Sequence, residues 1–168
     1  DITNPISIYG KTKFEAETYL TNSTVNHTIV RTNVVYSYSI ETKASFLKWV
    51  VQSLRDSKSI NVVSDQWNNP TSADSLAGFI QKIALSETYG LYHYSDKVLM
   101  TRYEFAKLIA KIFKLNSDLI KPILTSELNQ AASRPLKSGL VTQKIQKELS
   151  IVPPSVEKSL IQICNSLK

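Results

Sequence analysis

Short β-branched segments alternate with helix-spaced apolar positions along most of this chain of 168 residues. Strand-like segments are predicted at residues 28–36, 60–63, 90–94 and 119–124. Helices are predicted at residues 5–20, 46–54, 72–86, 101–114, 142–149 and 155–167, and a polar loop at 65–71. Such alternation is typical of folds in which helices connect parallel strands. We therefore expect an α/β protein with parallel strand pairing.

Three of the predicted helices carry signals for their ends or faces. Thr101 and Glu104 have the spacing of a capping box, and apolar residues follow at helical spacing, namely Phe105, Leu108, Ile109 and Ile112. Ser7 is a plausible N-cap for the first helix. The inward face of that helix is predicted to include Phe14, Tyr19 and Leu20. In the helix at 72–86, the predicted inward face is Leu76, Phe79, Ile80 and Ile83.

The glycines are too scattered to build a dinucleotide-binding turn. A complete dinucleotide-binding fold needs a Gly-rich strand-to-helix turn near its start. The four glycines stand at positions 10, 78, 90 and 139 and cannot supply one. Either the chain binds no dinucleotide, or it is the later part of a longer protein.

Composition limits the classes of function. The net charge of +6 is spread along the chain, which favours either a phosphate-bearing ligand or a merely solvated surface. Nucleic-acid binding is not expected, because clustered basic and interleaved aromatic residues are lacking. No run of 18 apolar residues suggests a membrane span, and the single Cys164 indicates a buried structural thiol. Asp65 and Asp74 have no partnering histidine, so no metal site is expected. We expect a cytoplasmic protein.

Tyr9 and Lys13 lie four residues apart in the first predicted helix. Residues at this spacing share one helix face. A nearby ammonium favours the phenolate and lowers a tyrosine pKa from about 10 toward the working range. The pair is therefore suited to deliver a proton to a carbonyl oxygen as hydride reaches its carbon. Tyr103 and Lys107 have the same spacing, and we interpret that second pair as a solvated helix face.

Five segments, in one order from residue 4 to about 140, carry a family resemblance. Residues 4–17 resemble the Pro-x-Ser-x-Tyr-Gly-x-Ser/Thr-Lys-x-x-x-Glu signature of extended short-chain dehydrogenases/reductases. Residues 30–37 resemble the Arg-Thr-x-x-Val-Tyr-Gly strand of that family, and residues 65–77 resemble its Asp-Gln-x-Gly-x-Pro-Thr segment with the following helix. Residues 90–95 and 134–140 match two more segments. Together they resemble the dTDP-4-dehydrorhamnose reductase branch.

The resemblance implies the C-terminal part of a Rossmann-like parallel sheet with a small mixed α/β substrate-binding subdomain. The active-site helix and last Rossmann strands would occupy about residues 1–64, and the substrate-binding segments about residues 65–168. The Gly-rich cofactor loop and a third catalytic hydroxyl would precede Asp1. This chain alone is therefore expected to be inactive.

The implied activity is the NAD(P)H-dependent reduction of a keto nucleotide sugar. Tyr9 would protonate the keto oxygen, and Lys13 would hydrogen-bond the nicotinamide ribose. The cofactor, NADP or NAD, would also be lined by Thr32, Asn33 and Val34. The substrate would be bound by Val35, Gln66, Trp67 and Arg134. A guanidinium suits a diphosphate because its fork makes paired bonds to phosphate oxygens.

Alternatives stay open for the whole chain and for single residues. The same resemblance includes a non-catalytic relative, the regulatory subunit of methionine adenosyltransferase, and sugar epimerases or dehydratases that return the hydride. A homodimer is also left open. Arg31 serves either the site or a buried carboxylate, and Trp67 is either a packing lid or a sugar platform. Arg134 is either a ligand or a loop cation, and His93 is interpreted as a satisfied core histidine.

The chain departs from the family pattern at three positions. Ser37 and Asn68 stand where the family has glycine. Val34 stands where the rhamnose-pathway enzymes often have tryptophan.

Overall fold

The computed structural model describes residues 2–39, 45–128, 130 and 132–167. The helices in those ranges are α1 (Ile8–Thr21), α2 (Phe46–Arg55), α3 (Ala73–Leu85), α4 (Arg102–Ile112), α5 (Gln143–Leu149) and α6 (Val156–Ser166). The strands are β1 (Thr28–Arg31), β2 (Val35–Tyr36), β3 (Ile60–Val63), β4 (Trp67–Asn68), β5 (Thr71–Ser72), β6 (Gly90–His93), β7 (Met100–Thr101) and β8 (Ile120–Ile123). These elements confirm the predicted α/β class.

The strands pair mostly in parallel. β1 pairs with β6, β2 with β5 and β3 with β8, all in parallel, whereas β4 and β7 are antiparallel. In the first pair Thr28 lies opposite Gly90 and Arg31 opposite His93, so both strands end at the same edge. Among the described strands β8 pairs only with β3. Pro122 lies in this strand, and proline, which has no amide hydrogen to donate, is found in sheets mainly on edge strands.

Two hydrophobic cores hold the elements together. The first packs α2, α4 and α6 against β3 and β8, and its fully buried side chains include Leu47, Phe105, Ile109 and Leu160. The second packs α3 and α5 against β6, with Phe79, Ile83, Tyr92, Tyr94 and Ile145 buried. Burial of large apolar side chains is the main favourable term for such a fold.

The predicted helix caps are confirmed. The Thr101 hydroxyl accepts a hydrogen bond from the Glu104 amide at 3.1 Å, and the Glu104 carboxylate accepts one from the Thr101 amide at 2.7 Å. The Ser7 hydroxyl accepts from the Gly10 amide at 3.1 Å and begins α1. Each bond satisfies an amide that would otherwise lack a partner at the start of its helix.

The predicted strand at 28–36 is wrong as one continuous element. It splits into β1 and β2 because Val34 has a φ of 43°, in the left-handed region. The Thr71 amide donates to the Val34 carbonyl at 3.1 Å, and the Thr71 hydroxyl donates to the Asn33 carbonyl at 2.8 Å. Tertiary hydrogen bonds thus override the β-branched propensity. The partner segment, predicted as a loop, contains β4 and β5.

Several predicted buried positions are exposed. On α1, Phe14 is 41%, Tyr19 79% and Leu20 37% exposed, because nothing in the described chain covers that face. On α3, Ile80 is 46% exposed, whereas Phe79 and Ile83 are buried as predicted. Cys164 is half-buried rather than buried, with its sulfur 3.8 Å from the Ile112 carbonyl oxygen.

The carboxylate of Asp96 lies between the two cores, and the residue is only 1% exposed. It accepts hydrogen bonds from the hydroxyls of Ser75 and Ser159, both at 2.8 Å. It also accepts from the Tyr36 hydroxyl and the Ser72 amide, both at 3.3 Å. Burial raises the pKa of Asp96 despite these donors. The carboxylate therefore joins β2, the start of α3 and α6 at one point.

Asp96→Ala is expected to lower the free energy of unfolding by about 2–4 kcal/mol, because it leaves buried donors without an acceptor. Urea unfolding measures the change. The exposed Asp74, on α3, provides the control Asp74→Ala, which should change the free energy of unfolding by less than about 0.5 kcal/mol.

The pH dependence of stability gives an independent check on Asp96. Since its folded-state pKa is raised above 3.8, its stabilising contribution is full below that value and is lost as the pH rises through the raised pKa. Asp96→Asn does not titrate, so it should gain stability relative to the wild type as the pH rises. If the difference in free energy of unfolding between Asp96→Asn and the wild type does not vary with pH, this account is contradicted.

Candidate functional site

Tyr9 and Lys13 lie on one face of α1, as their spacing predicts. The Lys13 ammonium is 5.5 Å from the centroid of the Tyr9 ring. Tyr9 is 73% exposed, so its hydroxyl is open to a reactant. Gly10 allows the preceding segment to pass close by, since a Cβ there would lie 3.2 Å from the Cβ of Pro5. The geometry leaves the phenol accessible and places a cation beside it.

An ion pair fixes α1 to the end of β1. The Arg31 Nη2 lies 2.5 Å from Glu17 Oε2, and the Arg31 Nε donates to Glu17 Oε1 at 2.9 Å. This hydrogen bonding lowers the pKa of Glu17 and raises the pKa of Arg31. An open groove of about 260 Å³ borders the pair, between residues 3–5 and the Lys13 side of α1. Arg31 therefore pairs with a carboxylate, one of the two predicted roles.

Unpaired polar atoms gather just beyond the strand ends. In the described part of the chain, the buried side-chain atoms without a hydrogen-bond partner are Thr32 Oγ1, Asn33 Oδ1, Asn68 Oδ1, His93 Nε2 and Ser95 Oγ. The first two follow β1, Asn68 ends β4, and the last two lie at the end of β6. Buried polar groups are normally paired, so these unpaired atoms are free to bond to a ligand. The carboxyl ends of parallel strands are where α/β proteins bind ligands.

The interpretation of His93 as a satisfied core histidine is wrong. The residue is only half-buried, and Nε2 has no partner among the described residues. Burial and the nearby charge of Arg31 lower the pKa of His93, while a hydrogen bond to the backbone of Val141 and the charge of Glu17 oppose that change. The lowered pKa favours the neutral ring. The signal in the sequence was its position near the end of the strand predicted at residues 90–94.

The segment at residues 138–140 crosses the same strand ends. The Asn33 side-chain amide donates to the Ser138 carbonyl, and the Ser138 amide donates to the Trp67 carbonyl at 2.9 Å. The Leu140 amide donates to the Asn69 side-chain oxygen at 2.8 Å. These bonds bring residues from three distant parts of the sequence to one edge.

The predicted substrate residues have different surroundings. Gln66 is buried, and its amide donates to the Thr125 hydroxyl at 3.1 Å. Trp67 is half-buried in β4, and Val35 is 49% exposed in β2. Arg134 is exposed, and its Nε donates to the Gln130 side chain at 3.1 Å. Trp67 connects to Asn33 through Ser138, whereas Tyr9 and Lys13 connect to this edge through the Glu17–Arg31 pair.

The second Tyr-x-x-x-Lys pair is not the solvated face that we predicted. Tyr103 packs against the first core, and the Lys107 ammonium donates to the Ser117 hydroxyl at 3.0 Å. Both side chains are half-buried. This pair is therefore structural.

Two other kinds of site have no counterpart in the described residues. There, no group of three or more His, Cys, Asp or Glu side chains is placed to hold a metal ion. None of the helices described is long and apolar enough to cross a bilayer.

Comparison with known proteins gives a consistent result. The model of the RmlD substrate binding domain matches residues 1–168. A dTDP-4-dehydrorhamnose reductase of Sinorhizobium fredii is 31% identical over 169 residues, which are 95% of this chain and 56% of that protein. The crystal structure of dTDP-4-dehydrorhamnose reductase from Bacillus anthracis, in complex with NADP, has a TM-score of 0.90 and 28% identity, and the match covers 99% of this chain and 58% of that one.

A more distant neighbour bears on the fold alone. The dTDP-glucose 4,6-dehydratase of Bacillus anthracis, in complex with NAD, has a TM-score of 0.77 at 13% identity, covering 98% of this chain and 53% of the other. The likeness to both structures confirms the predicted Rossmann-like fold. In all of these matches the chain spans little more than half of the relative's length.

A double-mutant cycle on Glu17→Ala and Arg31→Ala should give a coupling energy of about 1 kcal/mol in urea unfolding. The expectation rests on the two-pronged geometry and on the exposure of the two side chains, which is 31% for Arg31 and 21% for Glu17. The pair Lys111–Glu157 is a matched control, because it is a single contact at 3.5 Å between side chains 74% and 53% exposed. Its coupling should be close to zero. Equal coupling in both cycles would show that the geometry of the first pair adds nothing.

Val34→Asn is expected to raise the free energy of unfolding by about 1 kcal/mol, because asparagine tolerates a positive φ better than a β-branched residue. Val35→Asn is the control, since Val35 lies in the extended strand β2. That change should leave stability unchanged or lower it. Thermal or urea unfolding of both variants measures the difference, and destabilisation by both would mean that Val34 is not strained.

Proposed function

This chain belongs to the RmlD substrate-binding domain family, and we propose that it supplies the active-site helix and substrate-binding segments of an NAD(P)H-dependent reductase of a keto nucleotide sugar. The observation that carries the proposal is the set of unpaired buried polar atoms beyond β1 and β6. The helix with Tyr9 and Lys13 is fixed at the end of β1 by Glu17 and Arg31. The names of its relatives, dTDP-4-dehydrorhamnose reductases, support the same class of substrate.

The residues at the strand ends fit a nicotinamide cofactor. Thr32 Oγ1 and Asn33 Oδ1 are buried and unpaired, so a ligand with hydroxyl and amide groups would satisfy them. We assign cofactor binding to Tyr9, Lys13, Thr32, Asn33 and Val34. The bound nicotinamide supplies the hydride.

The chain's own chemistry is a proton transfer. The hydroxyl of Tyr9 donates its proton to the keto oxygen of the sugar as the carbon is reduced. The ammonium of Lys13 stabilises the resulting phenolate, because opposite charges attract at short distance. Lys13 would also donate a hydrogen bond to the ribose of a bound cofactor.

We assign substrate binding to Val35, Gln66, Trp67 and Arg134. Val35 and Trp67 present partly exposed apolar surface to the sugar, and Arg134 offers its guanidinium to the diphosphate. Gln66 holds the segment around Thr125 in place through its amide, and so shapes the pocket.

The uncovered face of α1 is a surface on which the rest of a longer protein could pack. α1 has no buried residue, and an open groove of about 640 Å³ runs past Phe14, Thr18 and Tyr19. We propose that the remainder of a full-length protein covers this face and provides the rest of the cofactor site. Within this chain, residues of about 1–64 would complete the Rossmann sheet and those of about 65–168 would bind substrate. We also propose a cytoplasmic location for that protein.

Tyr9→Phe in the full-length protein should lower the rate of NADPH-dependent reduction of a dTDP-4-keto sugar by roughly 10²–10⁴-fold, the usual contribution of a general acid. NADPH should still bind, as followed by its fluorescence. Tyr103→Phe is the matched control because it removes the same hydroxyl from the other Tyr-x-x-x-Lys helix, and it should retain turnover.

Other outcomes distinguish the alternatives. Unchanged turnover in Tyr9→Phe would exclude the proton-donor role. Substrate conversion without net consumption of NADPH would indicate an epimerase or dehydratase. The 168-residue chain by itself should bind ligand weakly at most and show no turnover.

A further inference from the structure

Lys13 and Glu17 lie one turn apart on the same face of α1. Tyr9, Lys13 and Glu17 stand at four-residue intervals, and residues at that spacing are neighbours on a helix surface, with Cβ atoms about 5–6 Å apart. Both Lys13 and Glu17 line the groove of about 260 Å³ beside α1. Of the four positions that lie three or four residues from Lys13, which are 9, 10, 16 and 17, only Glu17 is acidic. Glu17 is therefore the carboxylate of α1 best placed to pair with the Lys13 ammonium.

In the structure, Glu17 pairs with Arg31 instead. Two guanidinium nitrogens bind the carboxylate, because Nη2 lies 2.5 Å from Oε2 and Nε lies 2.9 Å from Oε1. Among the described residues Lys13 has no ion pair, and its ammonium lies 5.5 Å from the centroid of the Tyr9 ring. His93 lies opposite Arg31 in the neighbouring strand, and its lowered pKa favours the neutral ring. Arg31 therefore supplies the positive charge that faces Glu17 from the strands.

The two contacts open to Glu17 differ in strength. A guanidinium fork that makes two bonds to a carboxylate is among the stronger charge-assisted interactions, and it also fixes the orientation of the carboxylate. A lysine–glutamate pair one turn apart on an exposed helix face is weak, and it is weaker when the lysine comes first in the sequence, as it does here. Arg31 thus determines which contact Glu17 makes, and the Lys13 ammonium stays unpaired.

We propose that Arg31 is a positioning residue, which keeps the Glu17 carboxylate away from Lys13 and so leaves the lysine ammonium free for Tyr9 and the cofactor. The inference rests on the proposed function for the role of Lys13. Arg31 acts through Glu17 and not by contact with a ligand. Without the guanidinium, Glu17 turns to Lys13, where it offsets the positive charge and accepts a hydrogen bond from the donor that the ribose requires.

The test measures the Kd for NADPH, by its fluorescence, in the full-length protein. Arg31→Gln should raise that Kd by about twofold, the factor that corresponds to an ion pair at this helix spacing, and should lower kcat for reduction of the keto sugar. The double variant Glu17→Gln/Arg31→Gln also lacks the competing carboxylate, so its Kd should return to the wild-type value. Arg31→Lys keeps a cation beside Glu17 and should lie closer to the wild type than Arg31→Gln. Lys111→Gln, which removes the partner of the exposed Glu157, is the matched control and should leave the Kd unchanged.

A merely structural role for the ion pair predicts a different order among the variants. Arg31→Gln and the double variant both lack the pair, so both should lose a similar amount of Tm under either account. If the pair only fixes α1 to β1, the double variant binds NADPH no better than Arg31→Gln, and that result overturns the proposal. An unchanged Kd in a folded Arg31→Gln variant overturns it as well.

The failure of this inference can be distinguished from the failure of the proposed function. If the wild-type full-length protein neither binds NADPH nor reduces a keto sugar, the proposed function is rejected, and a crystal structure of the Arg31→Gln variant decides the inference. A Glu17 carboxylate oxygen within about 4 Å of Lys13 Nζ, the limit for an ion pair, upholds it. A Glu17 carboxylate that stays away from Lys13 overturns it.

Discussion

The buried carboxylate of Asp96 is the point on which the two hydrophobic cores depend. It accepts from Tyr36 and Ser159, which lie with the first core, and from the start of α3, which belongs to the second. A buried carboxylate is unfavourable unless donors surround it, so the elements that supply those donors are held in one arrangement. That arrangement also sets where β2 and β5 run side by side, and hence the turn at Val34 that precedes β2.

Backbone hydrogen bonds, more than side-chain packing, hold the segments of the candidate site together. The segment around Ser138 lies against Trp67 and Asn33 because each bond satisfies a backbone group or amide that would otherwise be buried unpaired. The polar atoms left over at the strand ends are then the exception in a well-paired interior. They lie at the end of β1, to which the Glu17–Arg31 pair joins the helix with the accessible tyrosine and lysine, and this arrangement supports the proposed chemistry.

The regular elements could be predicted well from the sequence, because they depend on local signals. The capping box at Thr101 and the helical spacing of Phe105 and Ile109 are sufficient to identify α4. The break at Val34 could not be predicted, since its cause is Thr71, far away in the sequence. The same holds for the site. Tyr9 and Lys13 follow from spacing and resemblance, but the bond from the Ser138 amide to Trp67 depends on β4, which was hidden in a segment that looked like a loop.

Helix α1 differs from the other long helices in what stabilises it. The N-cap and the ion pair to Arg31 stabilise α1, yet the helix has no buried side chain. In a native protein, local opening follows the distribution of buried contacts, and segments with few of them open independently of the core. The two cores of this chain would thus form a cooperative unit while α1 exchanges between docked and frayed states. In the reductase proposed above, the parts of the protein that cover α1 would therefore set the geometry of the tyrosine and lysine.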